Sequence, residues 1–172
     1  MTLEEAIKTA IEYESRVYKT YLEAMDQATS EVGKRIFKTL GEEEKGHLKY
    51  LRDRLDEWRD SGAITVAPLG TAVPGRAEIA EEVDRLRSTV SAEPDAKHDA
   101  ELELLKKALA VEVETSGFYK RMVSEMTAQG QEMFQRFVEI EEGHQAIVQA
   151  EIDAVNGLGF WFDMPEFNLE AG

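Results

Sequence analysis

The 172-residue sequence contains no cysteine. Disulfides, thiolate metal sites, iron–sulfur clusters and cysteine nucleophiles are thereby excluded. Basic residues are also scarce, with 20 Lys and Arg against 35 Asp and Glu and a net charge of -15. So acidic a surface repels phosphate backbones and anionic lipid, and neither nucleic acid nor membrane is an expected partner. No apolar run approaches the roughly 20 residues of a membrane span. The opening "MTLEEAIKTAIEYES" is acidic and amphipathic, unlike a signal peptide, and a cytoplasmic location is expected. Apolar residues still make up 42% of the chain, enough to build one core in a domain of this length.

What the chain does have is helical periodicity. Leu3, Ile7, Ala10, Glu14, Val17, Tyr21 and Ala24 fall on one stripe and predict a helix over 2–28. "ATSEVGK" (28–34) supplies a turn, with Ser30 as N-cap. A second helix carries Ile36, Leu40, Glu44, His47, Leu51, Leu55 and Trp58 on one face and ends at "DSGA" (60–63). "SGAITVAPLGTAVPGRAE" holds two of the four prolines and predicts an extended crossing segment. A short helix follows with Ile79, Val83, Leu86 and Val90 inward, broken at "SAEPDAK" (91–97). The third long helix is expected from about Ala96 to Met126, with Leu104, Ala108, Val111, Glu114 and Phe118 near one stripe. After "TAQGQ" (127–131), the fourth carries Phe134, Phe137, Glu141, His144, Val148 and Val155.

The expected fold is therefore all-α: two helix hairpins joined by a long crossover in a four-helix bundle of ferritin-like type. One domain covers 1–158, its crossover is 61–94, and 159–172 form an aromatic, acidic tail. Phe160, Trp161, Phe162 and Phe167 of that tail are expected to cover a bundle end or a partner subunit. The halves also repeat: "AIEYES" (10–15) matches "AVEVET" (110–115), and "EKGH" (44–47) matches "EEGH" (141–144).

Charged groups interrupt the apolar stripes at matching depth. Glu14 and Glu44 are each about 15 residues from the first turn, and Glu114 and Glu141 about 13–14 from a second turn near 128, equal heights at a rise of about 1.5 Å per residue. A single Glu-x-x-His in an acidic helix is usually a solvated face. Glu44-x-x-His47 and Glu141-x-x-His144 are two copies, and spacing of three lets carboxylate and imidazole converge on one ion. One bridging glutamate from each remaining helix, Glu14 and Glu114, completes four carboxylates and two imidazoles, the pattern of two-metal carboxylate bundles. Glu112 is the alternative to Glu114; the repeat favours Glu114, because Glu12, the partner of Glu112, sits among charged residues. Tyr21 is placed to hydrogen-bond a ligand carboxylate. Glu42, Glu43 and His98 are expected at the surface. Gly46 and Gly143, each before a histidine, fit either close packing or an inherited accident.

With "ESRVYKTY", "EEEKGH", "EIEEGH" and the Glu114 helix, residues 2–156 resemble the rubrerythrin branch of the ferritin-like superfamily. The resemblance implies two iron ions, with manganese or zinc as substitutes, held by Glu14, Glu44, His47, Glu114, Glu141 and His144. It implies a ferroxidase- or peroxidase-type oxidoreductase acting on iron and oxygen or hydrogen peroxide, and a homodimer. Rubrerythrins usually add a four-cysteine rubredoxin domain, so a separate electron donor is expected here. They usually carry a second glutamate one turn past the third-helix ligand, where Gly117 stands by this alignment. Bacterioferritins hold haem through a methionine after the second-helix glutamate; Lys45 occupies that place, so no haem is expected. The alternative function is a non-enzymatic iron-binding or delivery protein, or a structural metal site.

Overall fold

The computed structural model describes residues 1–89 and 99–158. Its elements are α1 Leu3–Gln27, α2 Glu31–Ser61, α3 Arg76–Thr89, α4 Asp99–Glu125 and α5 Ala128–Leu158. No strand occurs among the described residues, and no helix there is long and apolar enough to cross a membrane. Val90, the break at 91–97, His98 and the 159–172 tail lie outside the described residues.

Local chemistry sets the helix ends. Thr2 and Glu5 form a reciprocal capping box, Thr2 N–H donating to Glu5 (2.8 Å) and Glu5 N–H to the Thr2 hydroxyl (3.2 Å). Ser30 caps α2 by accepting from Gly33 N–H. Gly62 ends α2 in the left-handed region at φ 71°, where glycine avoids a Cβ penalty. Glu101 of α4 reaches the α1–α2 turn, accepting from Thr29 N–H, Ser30 N–H and the Thr29 hydroxyl. A buried carboxylate thus satisfies donors that the turn would otherwise leave unpaired.

Side-chain pairings fix the helix directions. Glu4 meets Arg59, Glu14 meets His47 and Tyr21 packs on Phe37, so α1 and α2 run antiparallel. Gln131 donates to Val123 C=O and Gln145 to Glu112 C=O, so α4 and α5 do the same. Arg16 with Glu114 and Glu23 with Lys107 set α1 antiparallel to α4. α2 and α5 approach less closely. The chain between Gly62 and α3 closes that gap. Tyr50 and Arg54 of α2 donate to its Ala67 and Thr65 carbonyls, and Arg136 of α5 to its Leu69 carbonyl. Ile64 and Val73 anchor it in the core. α3 then packs on α5, Arg87 pairing with Asp153 at 3.6 Å.

The buried apolar residues form two clusters. One includes Val17, Phe37, Leu40, Leu105, Ala108 and Val148. The other includes Ile7, Ala10, Leu51, Leu55, Phe118 and Phe134. Along each long helix, buried polar residues stand between these clusters: Glu14, Glu44, His47, Glu112, Glu141 and His144.

The two repeated glycines have different causes. A Cβ on Gly143 would lie 2.9 Å from the Pro74 carbonyl oxygen, so this glycine admits the crossing segment. A Cβ on Gly46 would meet nothing within 4 Å. Gly143→Ala is therefore expected to destabilise the protein by about 1–3 kcal/mol through overpacking. Gly46→Ala is expected to stabilise it by roughly 0.5–1 kcal/mol through helix propensity. Urea melts of both proteins check the pair, and equal effects would contradict the assignment.

Candidate metal centre

Each of the four long helices contributes to the polar layer. α1 supplies Glu14, α2 Glu44 and His47, α4 Glu112, and α5 Glu141 and His144, all essentially inaccessible to solvent. Their donor atoms form two sets of four: Glu14, Glu44, His47 and Glu141, then Glu44, Glu112, Glu141 and His144, each within 4.8 Å of one another. Glu44 and Glu141 belong to both sets. The expectation that Glu14 and Glu114 are the shared carboxylates is thus corrected: the shared pair comes from the two Glu-x-x-His motifs.

Both imidazoles turn Nδ1 inward. His47 Nδ1 lies 3.1 Å from Glu44, 3.3 Å from Glu14 and 3.6 Å from Glu141. His144 Nδ1 lies 2.8 Å from Glu44 and 3.7 Å from Glu112. The rings stack at 11° with centroids 5.5 Å apart.

Glu114 is not in the layer. Its side chain is 52% exposed and pairs with Arg16 at 3.2 Å. Glu112 occupies the inward position. α4 has apolar residues around most of its circumference (Leu102, Leu104, Leu105, Leu109, Val111 and Val113), so periodicity alone does not choose its inward face. The buried residues include Leu105, Ala108, Glu112, Thr115, Ser116, Phe118, Tyr119 and Met122: Ala108 and Phe118 of the expected stripe are buried, while Leu105, Glu112 and Thr115 take the inward places expected of Leu104, Val111 and Glu114. The turn also comes earlier, at 126–127, so Glu112 and Glu141 are each 14–15 residues from it.

Two tyrosines complete the layer. Tyr21 O–H donates to Glu112, and Tyr119 O–H donates to Glu14. The exchange is reciprocal: each tyrosine lies seven residues past one glutamate and bonds the other. The hydrogen bond considered for Tyr21 is therefore present, to Glu112. The sequence does not mark out Tyr119: Glu-x6-Tyr occurs three times, at 14–21, 43–50 and 112–119, and in the first and last the tyrosine reaches a glutamate of the layer. Glu43 is not at the surface, contrary to expectation. Its side chain is only 14% exposed, and it faces His144 Nε2.

Burial and mutual charge shape the protonation of this layer. Burial, with Glu44 nearby, pushes Glu14 up to about 8. Burial and the charge of Glu44 raise Glu112, and burial with the Glu112 charge raises Glu141 well above the usual carboxylate range. Burial alone would raise Glu44, but His47 and the surrounding hydrogen bonds overcome it and hold Glu44 well below that range. Burial opposes protonation of the histidines. Glu43 and Glu44 nevertheless push His144 up to about 10, and Glu44 with Glu14 raises His47 well above its ordinary value.

Charge of this density needs compensation. Neither oxygen of Glu141 has a hydrogen-bond partner, nor does Glu112 Oε2. Buried carboxylate oxygens are ordinarily satisfied. Oxygen and imidazole donors in two overlapping sets of four suit a pair of divalent cations, whose four positive charges match four carboxylates.

The rubrerythrin family model matches residues 1–55. That stretch is rubrerythrin-like. It covers α1 and most of α2, and with them Glu14, Tyr21, Glu44 and His47. Glu112, Tyr119, Glu141 and His144 lie beyond it and meet those residues in the buried layer. No curated protein and no solved structure matches the chain. The inward place of Glu112 also moves the comparison drawn at Gly117. One turn past Glu112 stands Thr115, buried, its hydroxyl donating back to Val111 C=O at 2.8 Å.

Proposed function

We propose that this chain is a di-iron oxidoreductase of rubrerythrin type, with Glu14, Glu44, His47, Glu112, Glu141 and His144 as ligands. The supporting fold reading is ferritin-like: two antiparallel hairpins joined by the crossing segment and α3. The observation that carries the proposal is the buried layer itself, in which two sets of four donors share Glu44 and Glu141. Manganese or zinc could occupy the same donors.

When bound, an iron pair supplies two one-electron oxidations beside a two-electron oxidant. The balanced reaction is two ferrous ions, one hydrogen peroxide and two protons giving two ferric ions and two waters. The chain's own part is to hold, to exclude and, on metal uptake, to release protons. Tyr119 and Tyr21 hold one oxygen of Glu14 and of Glu112 through O–H donors. Burial and the adjacent carboxylates keep both phenols well above their ordinary value, so they remain protonated donors. The apolar clusters on either side exclude water. In the metal-free layer Glu14, Glu112 and Glu141 have raised proton affinity, and metal uptake would release the protons they hold.

Stopped-flow absorbance tests the proposal. Anaerobic ferrous-loaded protein mixed with hydrogen peroxide is expected to develop ferric absorbance and consume one peroxide per iron pair. Glu141→Ala protein, lacking a carboxylate common to both sets, is expected to lose that rate by at least about 100-fold. Peroxide and oxygen both left unconsumed would remove the oxidoreductase reading.

A second reading is non-enzymatic iron binding. Thr115 favours it, because the one-turn position that carries a second glutamate in rubrerythrins holds no carboxylate here. In that case metal uptake is intact and oxidant consumption absent. Electrons for repeated turnover are proposed to come from another protein, since no cysteine is present in this sequence. A homodimer in the cytoplasm is part of the same proposal.

A further inference from the structure

Glu43 Oε2 and His144 Nε2 face each other at 3.9 Å. Both atoms are buried, and neither has a hydrogen-bond partner. The other oxygen of Glu43 accepts from Ala72 N–H at 3.0 Å. Glu43 is thus clamped between the crossing segment and the back of an imidazole whose front, Nδ1, points at Glu44 and Glu112. The other histidine lacks this arrangement. The ion pairs of His47 all run through Nδ1, and its buried Nε2 has no hydrogen-bond partner.

We infer that Glu43 is a positioning residue for His144, and that it makes the His144 side of the proposed centre the tighter of two unequal metal positions. The inference rests on the di-metal reading above. A movement of about 1 Å closes the gap to a charge-assisted hydrogen bond of about 2.8 Å. With its Nε2–H held by a carboxylate, the imidazole presents Nδ1 as a lone pair and as a more basic ligand. The crossing segment becomes part of the site, because Ala72 sets where Glu43 points. A third cation among Glu43, His47 and His144 is a competing use of the same atoms. It would need the Nε2 lone pairs, and a ring binding metal through both nitrogens must first lose its N–H proton to become an imidazolate bridge.

The test is anaerobic calorimetric titration of the metal-free full chain with Co(II). Wild type is expected to bind two equivalents in two resolved steps, the tighter abolished in His144→Ala and the weaker in His47→Ala. Glu43→Gln keeps the shape but removes the charge, and its amide can donate to His144 and favour the wrong tautomer. It is expected to weaken the tighter step by about 10–100-fold and leave the weaker one unchanged. Glu43→Asp, which keeps the charge, is expected to recover part of that loss. Glu43→Gln protein with wild-type steps, or with both steps weakened equally as a folding defect would produce, overturns the inference. So does loss of a third equivalent, which would assign Glu43 to a separate cation. Wild type that binds no Co(II) overturns the di-metal reading itself.

Discussion

Glu112→Ala protein is expected to hold about one metal ion per chain where wild type holds two, and Glu114→Ala protein to hold the full complement. The two glutamates are two positions apart, yet the fold treats them oppositely. Glu112 is inaccessible to solvent, belongs to the set with Glu44, Glu141 and His144, and receives the Tyr21 hydroxyl. Loss of an outer-shell partner commonly costs 10–100-fold in metal affinity, and loss of a ligand should cost at least that much. Glu114 is about half exposed, and its partner is Arg16. Removing an exposed ion pair costs about 0.2–1 kcal/mol. Metal analysis at limiting Co(II), alongside thermal melts of the metal-free proteins, reads both arms. Depletion in the Glu114 protein with a full complement in the Glu112 protein would reverse the assignment.

Metal-free protein is expected to lose stability as pH rises from 6 to 9, while metal-loaded protein gains it. The sign follows from the raised groups. Glu14 moves from 4.5 to about 8, and Glu112 and Glu141 also move up. A raised carboxyl holds its proton more tightly in the folded state, so its stabilisation is complete below about 4.5 and fades as pH rises through the folded value. His144, raised from 6.5 to about 10, and His47, raised well above 6.5, contribute stability below 6.5 that fades toward their folded values. Both trends point downward across pH 6 to 9. Glu44 runs the other way, but its stabilisation is complete above 4.5 and is lost only in acid. One pKa unit corresponds to about 1.36 kcal/mol, so Glu14 alone is a term of a few kcal/mol.

Metal inverts the slope, because the ligands bind it in their deprotonated forms and uptake releases protons. Melting temperatures of the chelated and loaded proteins should therefore diverge with pH. A chelated protein whose melting temperature is flat or rising from pH 6 to 9 would contradict the burial of these charges.

How much of this is legible before folding depends on the helix. In α1 and α2 the apolar stripes are narrow and the opposite faces charged, so Glu14, Glu44 and His47 stand out as intrusions, and the cap at Ser30 is in plain view. α5 is read from its motif, which repeats that of α2. α4 is not legible in the same way. Its apolar residues lie all round it, with Val113 exposed and Leu102, Leu104, Leu109 and Val111 only partly buried, so no narrow stripe marks the face turned to α1 and α5. Aligning "AIEYES" with "AVEVET" pairs Glu14 with Glu114. Glu14-x6-Tyr21 against Glu112-x6-Tyr119 is the alignment the fold uses. Its meaning depends on tyrosines reaching across to the other helix, which no single-helix pattern displays. Glu43 is hidden for a related reason: it lies off the α2 stripe and is covered by the crossing segment and by His144 of α5, both brought to it by long-range contacts.

Six buried side chains are proposed to hold two metal ions that share Glu44 and Glu141. Anomalous diffraction from a crystal of the iron-loaded protein tests this proposal most directly. Two peaks are expected about 3.5–4 Å apart between α2 and α5, both within coordination distance of Glu44 and Glu141, one beside His47 and the other beside His144. A single peak, or metal found only on exposed carboxylates such as Glu114, would contradict it.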